Sequence, residues 1–261
     1  MWREVFFIID INCNRNKFVC KCGYYNEFDF ANELNEKFVY QLNNNFISML
    51  YRIYDNKLNQ NDYVLCWKSF KTDKADIVIS INNKYKYISI KNGKNNSVHL
   101  EPLSDFICFL KDNNISDELI KIYYNYHYAS DEFGNRISAK EYQVNHLEEI
   151  ILFNKVVNKK RILLRAINRF LFEGTHSYNN KVNGIIYGNI DNFVYVSYSE
   201  VVNYLLNETE DFCSVHFSLL TLQPWTRNLN FNKKYEYRRD YVQVKWYRLE
   251  ETIEKIIKKR Y

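Results

Sequence analysis

The stretch KADIVISINNKYKYISIKNG brings together the side chains best suited to chemistry. Asp76 opens one apolar run, and Lys91 closes the next, with Ser89 two residues before it. In an extended strand, Ser89 and Lys91 share a face, and a tight turn at Asn82-Asn83 would lay Asp76 beside them. The compact form is D-x12-S-x-K. A carboxylate and an ammonium at adjacent strand ends suit phosphodiester hydrolysis. The acid holds a divalent cation that lowers the pKa of a water, and the amine stabilises charge on the phosphate. The ordinary alternative is an exposed salt bridge between neighbouring strands.

Other segments offer supporting groups. The loop Asn92 to His99, NGKNNSVH, follows the lysine directly. Its Asn92, Lys94, Asn96 and Ser97 can hydrogen-bond phosphates or base edges, and His99 can exchange a proton; such residues also fill ordinary turns. Farther along, QPWTRNLNFNKKYEYRRDY combines Trp225 with Arg227, Lys233, Lys234, Arg238 and Arg239. Cations there can clamp phosphates and rings can stack on unpaired bases, unless the segment is simply a basic hairpin loop. Arg161, Arg165 and Arg169 fall on one helical face, as a solvated stripe or a track along phosphates. Cys13, Cys20 and Cys22 form C-x6-C-x-C. This spacing lacks a paired zinc knuckle and is met more simply by alternating hairpin positions, although three thiolates and a fourth ligand would hold zinc.

The elements that must position these groups follow from periodicity. Arg3 to Ile11 and Lys17 to Cys22 predict an N-terminal hairpin. Phe30, Leu34, Phe38, Leu42 and Phe46 recur every fourth residue, with Ile47 and Leu50 beyond, and predict one amphipathic helix from Asp29. Tyr63–Trp67, Asp76–Ile81 and Tyr85–Lys91 predict a meander of three strands. Pro102 then opens a helix with Leu103, Phe106, Ile107 and Leu110 on its apolar face. Helices are expected over Glu118–Tyr126, Tyr142–Val157, Lys160–Phe172, Glu200–Leu206 and Glu250–Lys259. Further strands are expected over Gly184–Tyr187, Phe193–Ser197, Cys213–Leu222 and Tyr241–Trp246.

The motif in this setting resembles the PD-(D/E)XK nuclease superfamily, over residues 28 to 112. The resemblance implies an α/β fold with a mixed α+β sheet, whose restriction-endonuclease-like core is a helix, a three-stranded meander, a helix and a further strand. Two departures stand out: Ala75 replaces the proline before the aspartate, and Ser89 replaces the acid before the lysine. In some restriction enzymes of the superfamily a serine takes that position and the acid comes from the following helix. Glu101, on K-x9-E beside Pro102, matches that arrangement. The resemblance thus implies Asp76 and Glu101 as metal ligands, the Ile90 carbonyl as a third, and Lys91 as the group that positions water or stabilises phosphate. An accessory acid on the first helix would be Glu33 or Glu36, with Glu33 preferred.

The expected cofactor is Mg2+, with Mn2+ able to substitute, and the expected substrate is double-stranded DNA cut by an enzyme most like a type II restriction endonuclease. Such cutters often act as homodimers. The runner-up is a nucleic-acid-binding protein of the same fold without cleavage. Residues 1-115 would hold the nuclease core, and 116-261 would complete the fold and add DNA contacts.

The bulk numbers permit this reading. With 261 residues and 46% hydrophobic residues the chain can bury a sizeable core, and a formal net charge of +5 allows a local basic surface. Val5 to Ile9 is too short for a signal or membrane segment, so no membrane association and a cytoplasmic location with reduced thiols are expected.

Overall fold

The computed structural model describes residues 22–69, 74–92, 97–130, 135, 137–175, 180–208, 210, 212–224 and 233–260. The expected N-terminal hairpin, with Cys13 and Cys20, lies outside them except for its last residue, Cys22, which opens a helix instead of ending a strand. The protein is mixed α/β, and each of its two sheets draws strands from both sides of position 115. No helix among the described residues is long and apolar enough to cross a membrane.

The four-residue apolar repeat forms two helices rather than one: α1 (Cys22–Leu34) and α2 (Asn44–Ile53), separated by β1 (Lys37–Phe38) and a 3-10 turn. Polar residues override the period. Glu36 adopts a left-handed φ of 58°, Asn35 accepts the Cys66 amide at 3.0 Å, and the Asn43 side chain caps α2 through the amides of Asn45 and Phe46. Phe38 therefore leaves the buried stripe for an exposed strand.

The expected meander is present as β2 (Tyr63–Lys68), β3 (Ile77–Ile81) and β4 (Lys84–Lys91). Asn82 and Asn83, with φ of 51° and 59°, turn β3 into β4 as a two-residue hairpin requires. β5 (Ser97–Pro102) corrects two expectations. Ser97 to Glu101 form a strand instead of loop and helix start, and Pro102 precedes α3 (Leu103–Asp112) as its cap residue. Helices α4 (Asp117–Tyr128), α5 (Ala139–Asn145), α6 (Leu147–Val157) and α7 (Lys160–Ile167) follow. A π-helical stretch, Asn168–Glu173, extends α7. Next come β6 (Gly184–Gly188), β7 (Phe193–Ser197), α8 (Tyr198–Asn207), β8 (His216–Phe217), β9 (Leu220–Gln223), β10 (Tyr241–Trp246) and α9 (Leu249–Lys258). Cys213–Leu222 is thus a bent hairpin, turning at Ser218 with φ 51°.

The larger sheet runs β1-β2-β3-β4-β6-β7. Its parallel pair among the described residues, β4 with β6, needs the long helical crossover α3 to α7 between them. The smaller sheet runs β5-β10-β9-β8. Strand alternation divides the larger sheet into two faces. Val64, Cys66, Ile77, Ile79, Ile81, Ile88 and Ile90 point inward to α1 and α2, around Phe30 and Phe46. Among the described residues the other face meets a second core over β6, β7 and Tyr87, where Phe106, Tyr123, Phe153, Phe170, Phe217 and Trp246 pack.

Candidate active site

Asp76, Ser89 and Lys91 alternate with the inward isoleucines, so all three project from the second face, at the end of the sheet where β3 begins and β4 ends. The Asp76 amide donates to the Ile88 carbonyl at 2.9 Å, which registers the aspartate against β4 before the strand proper starts. Its Oδ2 accepts the Ser89 hydroxyl at 2.9 Å and the Ile90 amide at 2.6 Å. Lys91 Nζ lies 3.6 Å from the same oxygen and donates to the Ile90 carbonyl at 3.2 Å. Both charged side chains remain about a fifth exposed. The sequence motif is therefore one contiguous, solvent-reachable cluster.

Behind it lies a chain of buried charges. Lys74 Nζ donates to the Val98 carbonyl at 2.6 Å and stands 3.5 Å from His99 Nδ1. The Lys74 stem is partly accessible while its amine is drawn inward. Burial lowers its pKa to about 7, helped by the Lys91 charge and opposed by Asp76 and Glu101. An amine so tuned exchanges a proton near neutral pH. His99 Nε2 is 3.4 Å from Glu101 Oε1, without hydrogen-bonding geometry. Burial, chiefly, holds the imidazole below its ordinary pKa.

Glu101 sits on β5, wholly buried, and is held by a bidentate pair with Arg169 from the π-helical stretch: Nε donates to Oε2 at 3.0 Å, and Nη2 donates to the same oxygen. Thr175 adds a hydroxyl at 3.3 Å. Burial alone would raise the Glu101 pKa, but His99 and Arg169 outweigh it and leave it lowered. A π turn is a frequent device for aiming a side chain out of helical register, and here it turns Arg169 onto an acid 68 positions away.

No protein-family model and no curated protein sequence matches this chain.

The remaining sequence-predicted residues separate by position. Glu33 pairs with Lys37 at 2.8 Å on the exposed side of α1. Both it and Glu36 lie near Val64, at the opposite end of the sheet from Asp76. They are not brought to the cluster, because the C-terminal end of α1 meets the start of β2, while its N-terminal end lies toward Lys68 and Asp76. The α1 acid at the correct end is Glu27, but it faces Lys68 at 2.6 Å on the inward side. Asn92 is exposed just beyond Lys91. Ser97 accepts the Gln243 amide at 3.0 Å, bridging two strands. His99 is buried, which removes it from direct DNA contact.

Lys94, Asn96, Trp225 and Arg227 lie outside the described residues. Lys233 begins a 3-10 turn, Lys233–Arg238, in place of a loop. Arg238 stacks on Tyr237 and stays exposed, whereas Arg239 lies 5.0 Å over the Tyr128 ring and pairs with Glu236 at 3.6 Å. The arginine stripe is internal in part: Arg165 donates to Asn113 Oδ1 at 2.9 Å. Sequence reasoning missed Lys74, which one signal marked: its place two residues before the aspartate.

Among the described residues no group of three or more His, Cys, Asp or Glu gathers as a metal cage. Mg2+ does not need one. It retains waters and takes one or two carboxylates together with substrate phosphate. Among the described residues the bonds of Asp76 fall on Oδ2, which leaves Oδ1 to other duty, and Ile90, whose amide binds that carboxylate, carries a carbonyl that is a second hard donor and here accepts Lys91. This donor chemistry fits Mg2+.

Proposed function

We propose that the protein is a metal-dependent DNA endonuclease with a PD-(D/E)XK-type core, most like a type II restriction enzyme. One observation carries the reading: Asp76, Ser89 and Lys91, from the two strands of one hairpin, meet in a single partly exposed cluster at adjacent strand ends. The strand order β2-β3-β4-β6, antiparallel twice and then parallel, supports the resemblance.

Asp76 Oδ1 and the Ile90 carbonyl would hold Mg2+, which supplies a lowered-pKa water and neutralises phosphate charge. Ser89 and the Ile90 amide fix the carboxylate's direction, so that no reorganisation is needed at the moment of reaction. The Lys91 ammonium, 3.6 Å from Asp76 Oδ2, would stabilise negative charge on a phosphate oxygen once the metal takes the Ile90 carbonyl. Lys74, tuned near neutrality, stands behind as a proton acceptor.

A second reading, a nucleic-acid-binding protein without cleavage, is favoured by one feature: Glu101, the acid expected to complete the metal site, is already committed to Arg169. Incubating plasmid DNA with Mg2+ or Mn2+ against EDTA separates them. Discrete metal-dependent fragments should form, and Lys91→Ala and Asp76→Asn should each lower cutting by about 100-fold or more. Intact plasmid at every metal concentration, with retarded migration, overturns the enzyme in favour of the binding protein.

A further inference from the structure

Among the described residues, part of the second face of the larger sheet carries no helix or neighbouring sheet. Covering elements reach β6, β7 and Tyr87, while β1, β2 and the start of β4 extend beyond them. The outward residues there are Phe38, Tyr63, Leu65, Trp67 and Tyr85, each 37% to 54% exposed. Trp67 meets Tyr85 edge-on at 6.1 Å across β3, and Phe38 meets Tyr63 at 5.1 Å. Between them on β3, Val78 and Ser80 are buried, although neither packs into the two core clusters. The rings therefore form an ordered layer instead of scattered exposures, and a contiguous apolar patch of this kind marks a binding surface.

Two features say what it binds. The layer is continuous with the candidate site: Asp76 lies two positions before Val78 on the same face, one strand repeat of about 6.8 Å away, and Val78 pairs directly with Trp67. The Lys91 ammonium, about a fifth exposed, stands at that end and offers a cation to a phosphate. Rings beside cations suit nucleobases attached to phosphates. Tyr63, Leu65 and Trp67 recur about every 6.8 Å, twice the ~3.4 Å per nucleotide of one duplex strand. Such a row fits bases that have left the duplex stack.

We propose that the row Tyr63, Leu65, Trp67 and Tyr85 binds a single-stranded segment of DNA, stacking its unpaired bases while the adjoining phosphate lies at Asp76 and Lys91. The position of that phosphate rests on the nuclease reading; the stacking does not. The substrate is then duplex DNA opened beside the cut, its unpaired nucleotides held on this row.

Fluorescence anisotropy with a labelled oligothymidylate and a blunt duplex of equal length, in EDTA, tests the stacking without cleavage. The single strand should bind tighter than the duplex. Trp67→Ala and Tyr85→Ala should each weaken it about ten-fold, Trp67→Phe much less, and the duplex should change little. Both side chains are exposed, and unchanged thermal melting will show that the variants fold. Single-strand affinity unmoved by the alanine variants overturns the proposal. So does a native chain of twice the monomer mass that Trp67→Ala converts to monomer, since the face then holds a second copy. Ring-dependent binding without Mg2+-dependent cutting upholds the stacking surface while refuting the nuclease.

Discussion

At the scale of single residues, Asp76 and Glu101 show how differently two carboxylates can be used. Asp76 keeps one oxygen on β4 and its other side toward solvent, whereas Glu101 spends its acceptor capacity on Arg169 and Thr175 inside the protein. Sequence spacing located Asp76 and Lys91 because both sit on strands whose alternation is visible. It could not locate the partner of Glu101, which arrives from a helix 68 positions later through a π turn that no periodicity announces. Removing one member of this pair leaves an uncompensated buried charge, so Arg169→Met should destabilise the fold by about 3–5 kcal/mol. Replacing both, as Glu101→Leu with Arg169→Met, should recover much of that loss, because no unpaired charge remains. Urea denaturation of the two variants checks this; equal instability of single and double variants would mean that packing, not charge, sets the cost.

At the scale of elements, strands were easier to read than helix boundaries. β2, β3 and β4 each alternate inward aliphatic with outward residues, and the hairpin Asn82-Asn83 punctuates them. The long apolar repeat misled, since Phe38 keeps the period in sequence while Asn35, Glu36 and Asn43 break it in space. Asn43 is the residue that restarts the helix, and Asn43→Ala should cost about 1 kcal/mol through loss of its two capping bonds. A second element-level constraint lies at the entry to β6. A Cβ on Gly184 would stand 2.5 Å from the Tyr195 ring, and that ring is buried with its hydroxyl on the Asn183 carbonyl. Gly184→Ala should therefore destabilise by about 1–3 kcal/mol. β6 pairs with Ser89, Ile90 and Lys91, so the same variant should lower cutting of plasmid DNA more than Asn43→Ala does, at a temperature where both remain folded.

At the scale of the whole molecule, three charged side chains join elements that no local pattern connects. Glu200 on α8 takes Arg52 from α2 at 2.9 Å and Arg260, just past α9, at 2.7 Å. Arg260 also donates to the Tyr195 carbonyl on β7. Burial would raise the Glu200 carboxyl, but Arg260 and the Ser197 hydrogen bonds override it and bring the pKa down to about 2 from an ordinary 4.5. A carboxylate depressed on folding binds fewer protons in the native state. Its stabilisation is complete above about 4.5 and drains away as pH falls toward 2. Arg260→Ala removes the largest stabilising partner, so the difference in unfolding free energy between native chain and variant should be constant above pH ~4.5 and shrink below it. A smaller offset from the lost Tyr195 bond should persist at every pH. Urea denaturation across this range reads the result, and a difference that does not change with pH would show that Arg260 acts through the Tyr195 carbonyl alone.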